Sequence, residues 1–476
     1  MRGGAVTIVG QGCKFLIQIL NLAVLSRILS PKDFGIVAMV MAVVGLSEVI
    51  RDFGLSSAAV QSKTLSHLEK CNLFWINALL GLVLSLAVVA CAPLVATLYN
   101  EPRLKDVTMA VAITFLLNGL QAQFQAELGR RLRFFALTWT DVLAAIVGFL
   151  AAVAAATNNY GYWALVWQQI CQMTVLLLLR LVVSGWRPGL PSRSTSIRRF
   201  LRYGWNLMLT QTLVYFSSNI DRVLIGARWG AASVGLYSRA FQLLTVPLSQ
   251  LLAPLTAVAL PVMSRAQDNP KEFNQFVLRS QAALGHLSLF SLSFTFGCAD
   301  ALVNIVLGDR WGGVSALFKI LVIGGAFQVV AYPAYWVFLA KGLTGSHFKY
   351  ALCSRSLMIV LLVVGSYRSP EFVALGYTVS LALAWPVSLL WISRAAKAPS
   401  LDMLRNGLQI ILLGAAAAAI ASWAAQFSLF TADWQKLLAS AVMCTAVYAL
   451  AAAIFTPIRE DFRNIASIPR IMRGRN

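Results

Sequence analysis

Fourteen apolar runs, each about as long as a bilayer-crossing helix, leave this chain few folds to choose from. They cover residues 6–28, 34–52, 73–97, 106–127, 135–157, 161–184, 201–225, 235–259, 277–306, 313–340, 348–366, 371–393, 404–425 and 435–456. A helix crosses the hydrocarbon core in roughly 20 residues. Only helices and closed barrels satisfy their own backbone groups there. Polar connections are short, the longest being the basic stretch 185–200, so no segment can hold a soluble domain. Charged residues make up 12% of the 476, against roughly 25% in soluble domains. The expected fold is an all-α integral membrane protein with about 14 transmembrane helices.

Charge sets the orientation. The net charge of +21 would suit nucleic acid if it clustered on a soluble surface. Here the basic residues lie between apolar runs, so no nucleic-acid partner is expected. With the N-terminus inside, the inside segments hold 26 Lys and Arg, among them Arg130, Arg131, Arg133, Arg180, Arg187 and Arg198. The outside loops hold 9 and the spans themselves four. Alternation of this kind places both termini in the cytoplasm. The seven cysteines form no CxxC pair, so neither a zinc site nor a disulfide framework is expected, nor any other metal or cofactor. The first apolar run is too long and too polar on one face for a cleaved signal peptide.

That first run carries the most informative pattern. Thr7, Gln11, Lys14, Gln18 and Asn21 recur every three or four residues and therefore stack on one helix face. Lipid cannot satisfy such groups, so the stripe must meet protein or water. Shifting the sequence by 200 residues lays 25–40 over 225–240, with Gly35 on Gly235, Gln11 on Gln211 and Lys14 on Val214. Each half thus opens with a striped helix, a short turn and a second helix. Six spans apart, the copies enter the membrane in the same sense, as parallel transporter repeats do. Further stripes comprise Thr114, Asn118, Gln121 and Gln125; Arg239, Gln242 and Ser249; and Gln168 with Gln172. Such amides also serve as ordinary interhelical glue, and each Gln alone reads better that way. Four striped helices together favour a wet path.

With basic residues near most span ends counted with the adjoining inside or outside segments, Lys14, Arg239, Lys319 and Arg355 are left within spans. Charges at depth mark substrate paths, although long stems can also snorkel to the surface. Lys14 and Arg355 lie toward the inner side, Arg239 and Lys319 toward the outer. Arg51–Asp52 and Asp221–Arg222 sit at span ends as candidate gates or helix staples. The candidate path is Gln11, Lys14, Gln18, Asn21, Asn118, Gln121, Gln125, Arg239, Lys319 and Arg355. No catalytic residue is expected. The outer loops are too short for a polymerase site, and the sequence lacks HExxH, a nucleophile elbow and a phosphate-cradling Gly loop.

The stretches LSRILSPKDFGIVAMV (25–40), DFGLSSAAVQ (52–61) and NIDRVLIGARWGAASVGLYSRAFQLLTVPLSQ (219–250) resemble the bacterial polysaccharide transporter family. These are Wzx-type lipid-linked oligosaccharide flippases of the multidrug/oligosaccharidyl-lipid/polysaccharide exporter superfamily. The resemblance implies two pseudo-symmetric six-helix lobes in a MATE-like V, residues 1–184 and 201–393, joined by a basic cytoplasmic linker, 185–200. Two extra spans over 394–456 and a basic cytoplasmic tail, 457–476, complete the layout. It implies transfer of undecaprenyl-pyrophosphate-linked repeat units across the bacterial inner membrane by alternating access, for surface polysaccharide. The implied partners are that polyprenyl-pyrophosphate-linked oligosaccharide, membrane lipids, and candidate polymerase and assembly proteins. A drug–cation antiporter of the same superfamily stays open as an alternative, as does, more remotely, a multispan polymerase. An antiporter is expected to place acidic residues in its cavity, where the mid-span charges here are mostly basic.

Overall fold

The computed structural model describes residues 2–52, 66–191, 198–427 and 431–463. Side chains of residues 2–9, 46–52, 198–211 and 213 lie outside that description. So do the stretch 53–61 that carries part of the family resemblance, the middle of the basic linker and most of the basic tail. No strand occurs among the described residues. Helices α1 (Arg2–Ile28), α2 (Pro31–Asp52), α3 (His67–Tyr99), α4 (Arg103–Arg130), α5 (Phe134–Thr157) and α6 (Trp163–Ser184) precede the linker. A long helical run, α7 (Arg198–Arg265), bends at Gly230, where φ is 76°. Then come α8 (Pro270–Gly297), α9 (Ala299–Val306), α10 (Gly313–Ala340), α11 (Thr344–Ser366), α12 (Pro370–Ala396), α13 (Ser400–Ala425) and α14 (Asp433–Ile454). Each expected span lies largely on helical backbone, with two of them sharing α7 and one divided between α8 and α9. Ten helices among the described residues are long and apolar enough to cross a membrane, or 11 if α8 and α9, bent by 80°, count as one. The protein is a multi-pass membrane protein.

Helix ends follow local chemistry. Ser66 accepts from the Glu69 N–H while Glu69 accepts from the Ser66 N–H, a capping box that starts α3. Ser30 and Asp33 make the same exchange ahead of α2, beside Pro31 in the first turn, where its missing N–H costs nothing. Asn100, at φ 50°, closes α3 in the left-handed conformation.

By its contacts the chain divides into two units, Met1–Gly235 and Leu236–Asn476. Residues 201–235 fall in the first unit. Two glycines give the physical reason. A Cβ on Gly35 would lie 1.6 Å from the Ala231 carbonyl oxygen, and one on Gly235 would lie 1.9 Å from that of Pro31. Pro31 and Ala231 are themselves 200 residues apart, as are the glycines. The two copies of the opening motif thus touch reciprocally, as a two-fold relation requires. Tyr215 strengthens the joint by donating to the Met41 carbonyl at 2.5 Å.

Within the first unit, α3 packs on α4 through Gly81 and Gly119, whose facing backbones leave no room for side chains. Glu127, 1% exposed, is held by Lys70 and Arg131, each at 2.7 Å. Trp186 and Gly189 of the linker's first residues dock on α3, where Trp75 donates to the Gly189 carbonyl at 2.9 Å. In the second unit Tyr237, Phe273, Trp311, Phe318, Trp336 and Phe338 are fully buried. There α8 meets α13 through Ser293, which donates to the Gly414 carbonyl at 2.7 Å. After α14 the chain returns to this unit, placing Asp461 3.3 Å from the buried His286 and Phe462 against its ring.

Candidate functional site

A polar network spanning four helices of the first unit begins with a missing side chain. Gly10 on α1 faces Thr138 on α5 so closely that a Cβ there would overlap the threonine methyl. One turn along α1 comes Lys14, and three residues along α5 comes Asp141. Helical spacing therefore brings the ammonium to the carboxylate, and Lys14 Nζ donates to Asp141 Oδ2. Two turns further along α5, Gly148 admits the α6 backbone at Gln168 and Gln172. Because α5 and α6 run antiparallel, that register carries Arg180 to Asp141. Its Nη2 donates to Oδ1 at 2.6 Å.

From Arg180 the network continues into α4. Nη1 donates to Gln121 Oε1 and, at 2.9 Å, to Gln125 Oε1. Gln121 then donates to Asn118 Oδ1 at 2.8 Å, and the Asn118 amide reaches the Met173 sulfur. Four helices and six polar side chains thus share one chain of hydrogen bonds. Its access is graded: the Lys14 and Asp141 side chains are 32% and 26% exposed, that of Arg180 only 4%. Two cations share a single carboxylate, so the network carries excess positive charge.

The remaining expected path residues are distributed as follows. Gln11 and Gln18 are exposed and Asn21 half-buried, but Leu16 and Leu20 off the stripe are exposed as well, so exposure on α1 is not confined to the polar face. Arg239, buried on α7, donates to Gln242. Lys319 on α10 pairs at 2.8 Å with Asp300 of α9, which also accepts from Ser315. Arg355 is half-buried on α11. Asp221 is buried and accepts from the Arg222 N–H at 2.8 Å, while the Arg222 guanidinium donates to Asn219. The Arg51 and Asp52 side chains lie outside the described residues. Asp141 and Arg180 are the members that the sequence pattern leaves out. Arg180 reads as an inside-loop charge because it stands four residues from the end of its helix, yet it is buried among α4, α5 and α6. A mid-helix Asp within reach of such an Arg was the available signal.

A helical multi-pass fold whose first unit carries a cationic, amide-lined network has the kind of ionic groups at depth that membrane transport proteins use. The sequence profile of the polysaccharide biosynthesis protein family matches residues 24–316, and the chain belongs to that family. It is 25% identical over 379 residues to the lipopolysaccharide biosynthesis protein WzxC of Escherichia coli K12, covering 78% of this chain and 75% of that one. To the teichuronic acid biosynthesis protein TuaB of Bacillus subtilis 168 it is 25% identical over 344 residues, 72% and 71% of the two chains. In fold it is similar to the lipid II flippase MurJ in an inward closed conformation, with a TM-score of 0.77. That likeness covers 95% of this chain and 98% of the other at 14% identity.

Proposed function

We propose that this protein moves a polyprenyl-diphosphate-linked oligosaccharide from the cytoplasmic to the outer leaflet of the bacterial inner membrane, for surface polysaccharide assembly. The observation that carries this reading is the Lys14–Asp141–Arg180 network in a chain of the polysaccharide biosynthesis family. A diphosphate is costly to take out of water unless cations meet it. Arg and Lys are the side chains that pair best with phosphate oxygens. The amides of Gln11, Gln18, Asn21, Asn118, Gln121 and Gln125 offer both donors and acceptors, which suits sugar hydroxyls.

In this reading Lys14 and Arg355 receive the headgroup from the inner side, and Arg239 and Lys319 pass it outward. Arg51–Asp52 and Asp221–Arg222 act at the gates. Both termini are cytoplasmic, and the polymerase and assembly enzymes are the natural partners downstream. Two cations on one carboxylate make a poor receptor for an organic cation, which weighs against drug–cation antiport.

Deletion should abolish surface polysaccharide and leave lipid-linked repeat units in the inner leaflet. Lys14→Gln, which keeps the stripe polar and removes only the charge, should fail to restore export at matched expression. Lys14→Arg should restore part of it. Normal export by both Lys14→Gln and Arg355→Gln would overturn the cationic path.

A further inference from the structure

We infer that Asp141 is a resident counter-anion, occupying the phosphate position of the headgroup site until substrate displaces it, and that it thereby selects diphosphates over singly phosphorylated ligands. The inference rests on the reading of Lys14 and Arg180 as headgroup ligands. Three observations support it. First, the carboxylate bridges the two cations with one oxygen each, Oδ2 to Lys14 and Oδ1 to Arg180, which is how a phosphate oxygen pair would engage them. Second, the guanidinium does not depend on Asp141 for its orientation. Gln121 and Gln125 hold its other terminal nitrogen, so Arg180 keeps its aim when the carboxylate leaves. Its buried Nε has no partner among the described residues, leaving a donor in reserve. Third, exposure falls from Lys14 and Asp141 to Arg180. The carboxylate therefore stands between the open side of the site and the buried cation.

A resident anion has a predictable effect on selectivity. Any incoming ligand must outcompete a tethered carboxylate for the same two cations. A ligand with a single phosphoryl group brings about one to two negative charges on one tetrahedral centre, and so gains little over the carboxylate it displaces. A diphosphate brings more charge and more oxygens, enough to hold Lys14 and Arg180 after Asp141 has swung away. Nothing in the exchange requires a proton or an added ion.

The test is equilibrium binding of inorganic pyrophosphate and of orthophosphate to the full-length protein in detergent micelles. Asp141→Asn keeps the size and removes the charge. It should bind pyrophosphate about tenfold or more tightly than the unsubstituted protein. Its orthophosphate affinity should rise by a larger factor, so that the preference for pyrophosphate narrows. Pyrophosphate should also raise the melting temperature of Asp141→Asn more than that of the unsubstituted protein, because an anion in trans replaces the missing one. Recovery of the variant only with pyrophosphate present would support the inference equally. Unchanged or weaker binding by Asp141→Asn would overturn it, as would failure of pyrophosphate to rescue an unstable variant. A merely structural ion pair gives neither tighter binding nor rescue. Lys14→Gln separates the two levels: if it binds pyrophosphate as well as the unsubstituted protein does, the headgroup reading itself fails.

Discussion

Replacing Gly35 by alanine should unfold the reciprocal joint between the two opening motifs. The added Cβ would stand 1.6 Å from the Ala231 carbonyl oxygen. Ordinary carbon contacts lie near 3.5 Å, so the backbones would have to part by about 2 Å. Overpacking costs about 1–3 kcal/mol when side chains can shift. Here the obstruction is backbone, so the cost belongs at the top of that range. Gly235→Ala, at 1.9 Å from the Pro31 carbonyl oxygen, should cost nearly as much. The double variant should fall short of the sum, because a joint opened once is already open for the second methyl. Gly45→Ala meets the Tyr215 hydroxyl at 2.1 Å, and that side chain can swing aside. It then gives up its bond to Met41, worth about 1 kcal/mol net. Gly12 is exposed and has nothing within 4 Å, so Gly12→Ala should stabilise its helix, by up to about 1 kcal/mol. Denaturant titration in detergent micelles would rank the four. Gly35→Ala as stable as Gly12→Ala would refute the close approach on which the joint depends.

Two further predictions follow from charge. Glu127→Ala removes the carboxylate that holds Lys70 and Arg131, both of which can turn toward water, and should cost about 1–3 kcal/mol in the same titration; no measurable loss would show that the two ion pairs add nothing to stability. A reporter active only outside the cytoplasm should be silent when fused after Arg131 or Arg198 and active at Asn158–Asn159. Activity after Arg198 would invert the orientation and every inner and outer assignment with it.

Periodicity made much of this molecule legible. The α1 stripe and the Asn118–Gln121–Gln125 face are written every three or four residues, and the structure puts Lys14 and both glutamines into one network. The 200-residue repeat marked Gly35 and Gly235 as equivalent, though not as neighbours. That contact depends on how two helix turns meet in space, which no linear offset records. Asp141 and Arg180 escaped for a related reason. They stand 39 residues apart on antiparallel helices, and their pairing is set by the register that Gly148 allows between α5 and α6. Arg180 was further disguised by its neighbours, since the stretch that follows it carries Arg187, Arg193, Arg198 and Arg199. A charge bias read loop by loop cannot tell a buried guanidinium from a solvated one.

Transport itself is the most direct test. The purified protein would be reconstituted in liposomes with a fluorescent, short-chain polyprenyl-diphosphate oligosaccharide, and its movement between leaflets followed by a membrane-impermeant quencher. The cationic-path mechanism predicts that the unsubstituted protein accelerates exchange between leaflets over empty liposomes, and that Lys14→Gln and Arg180→Gln, reconstituted at equal density, lose most of that acceleration. No acceleration by the unsubstituted protein, or equal rates for all three, would contradict it.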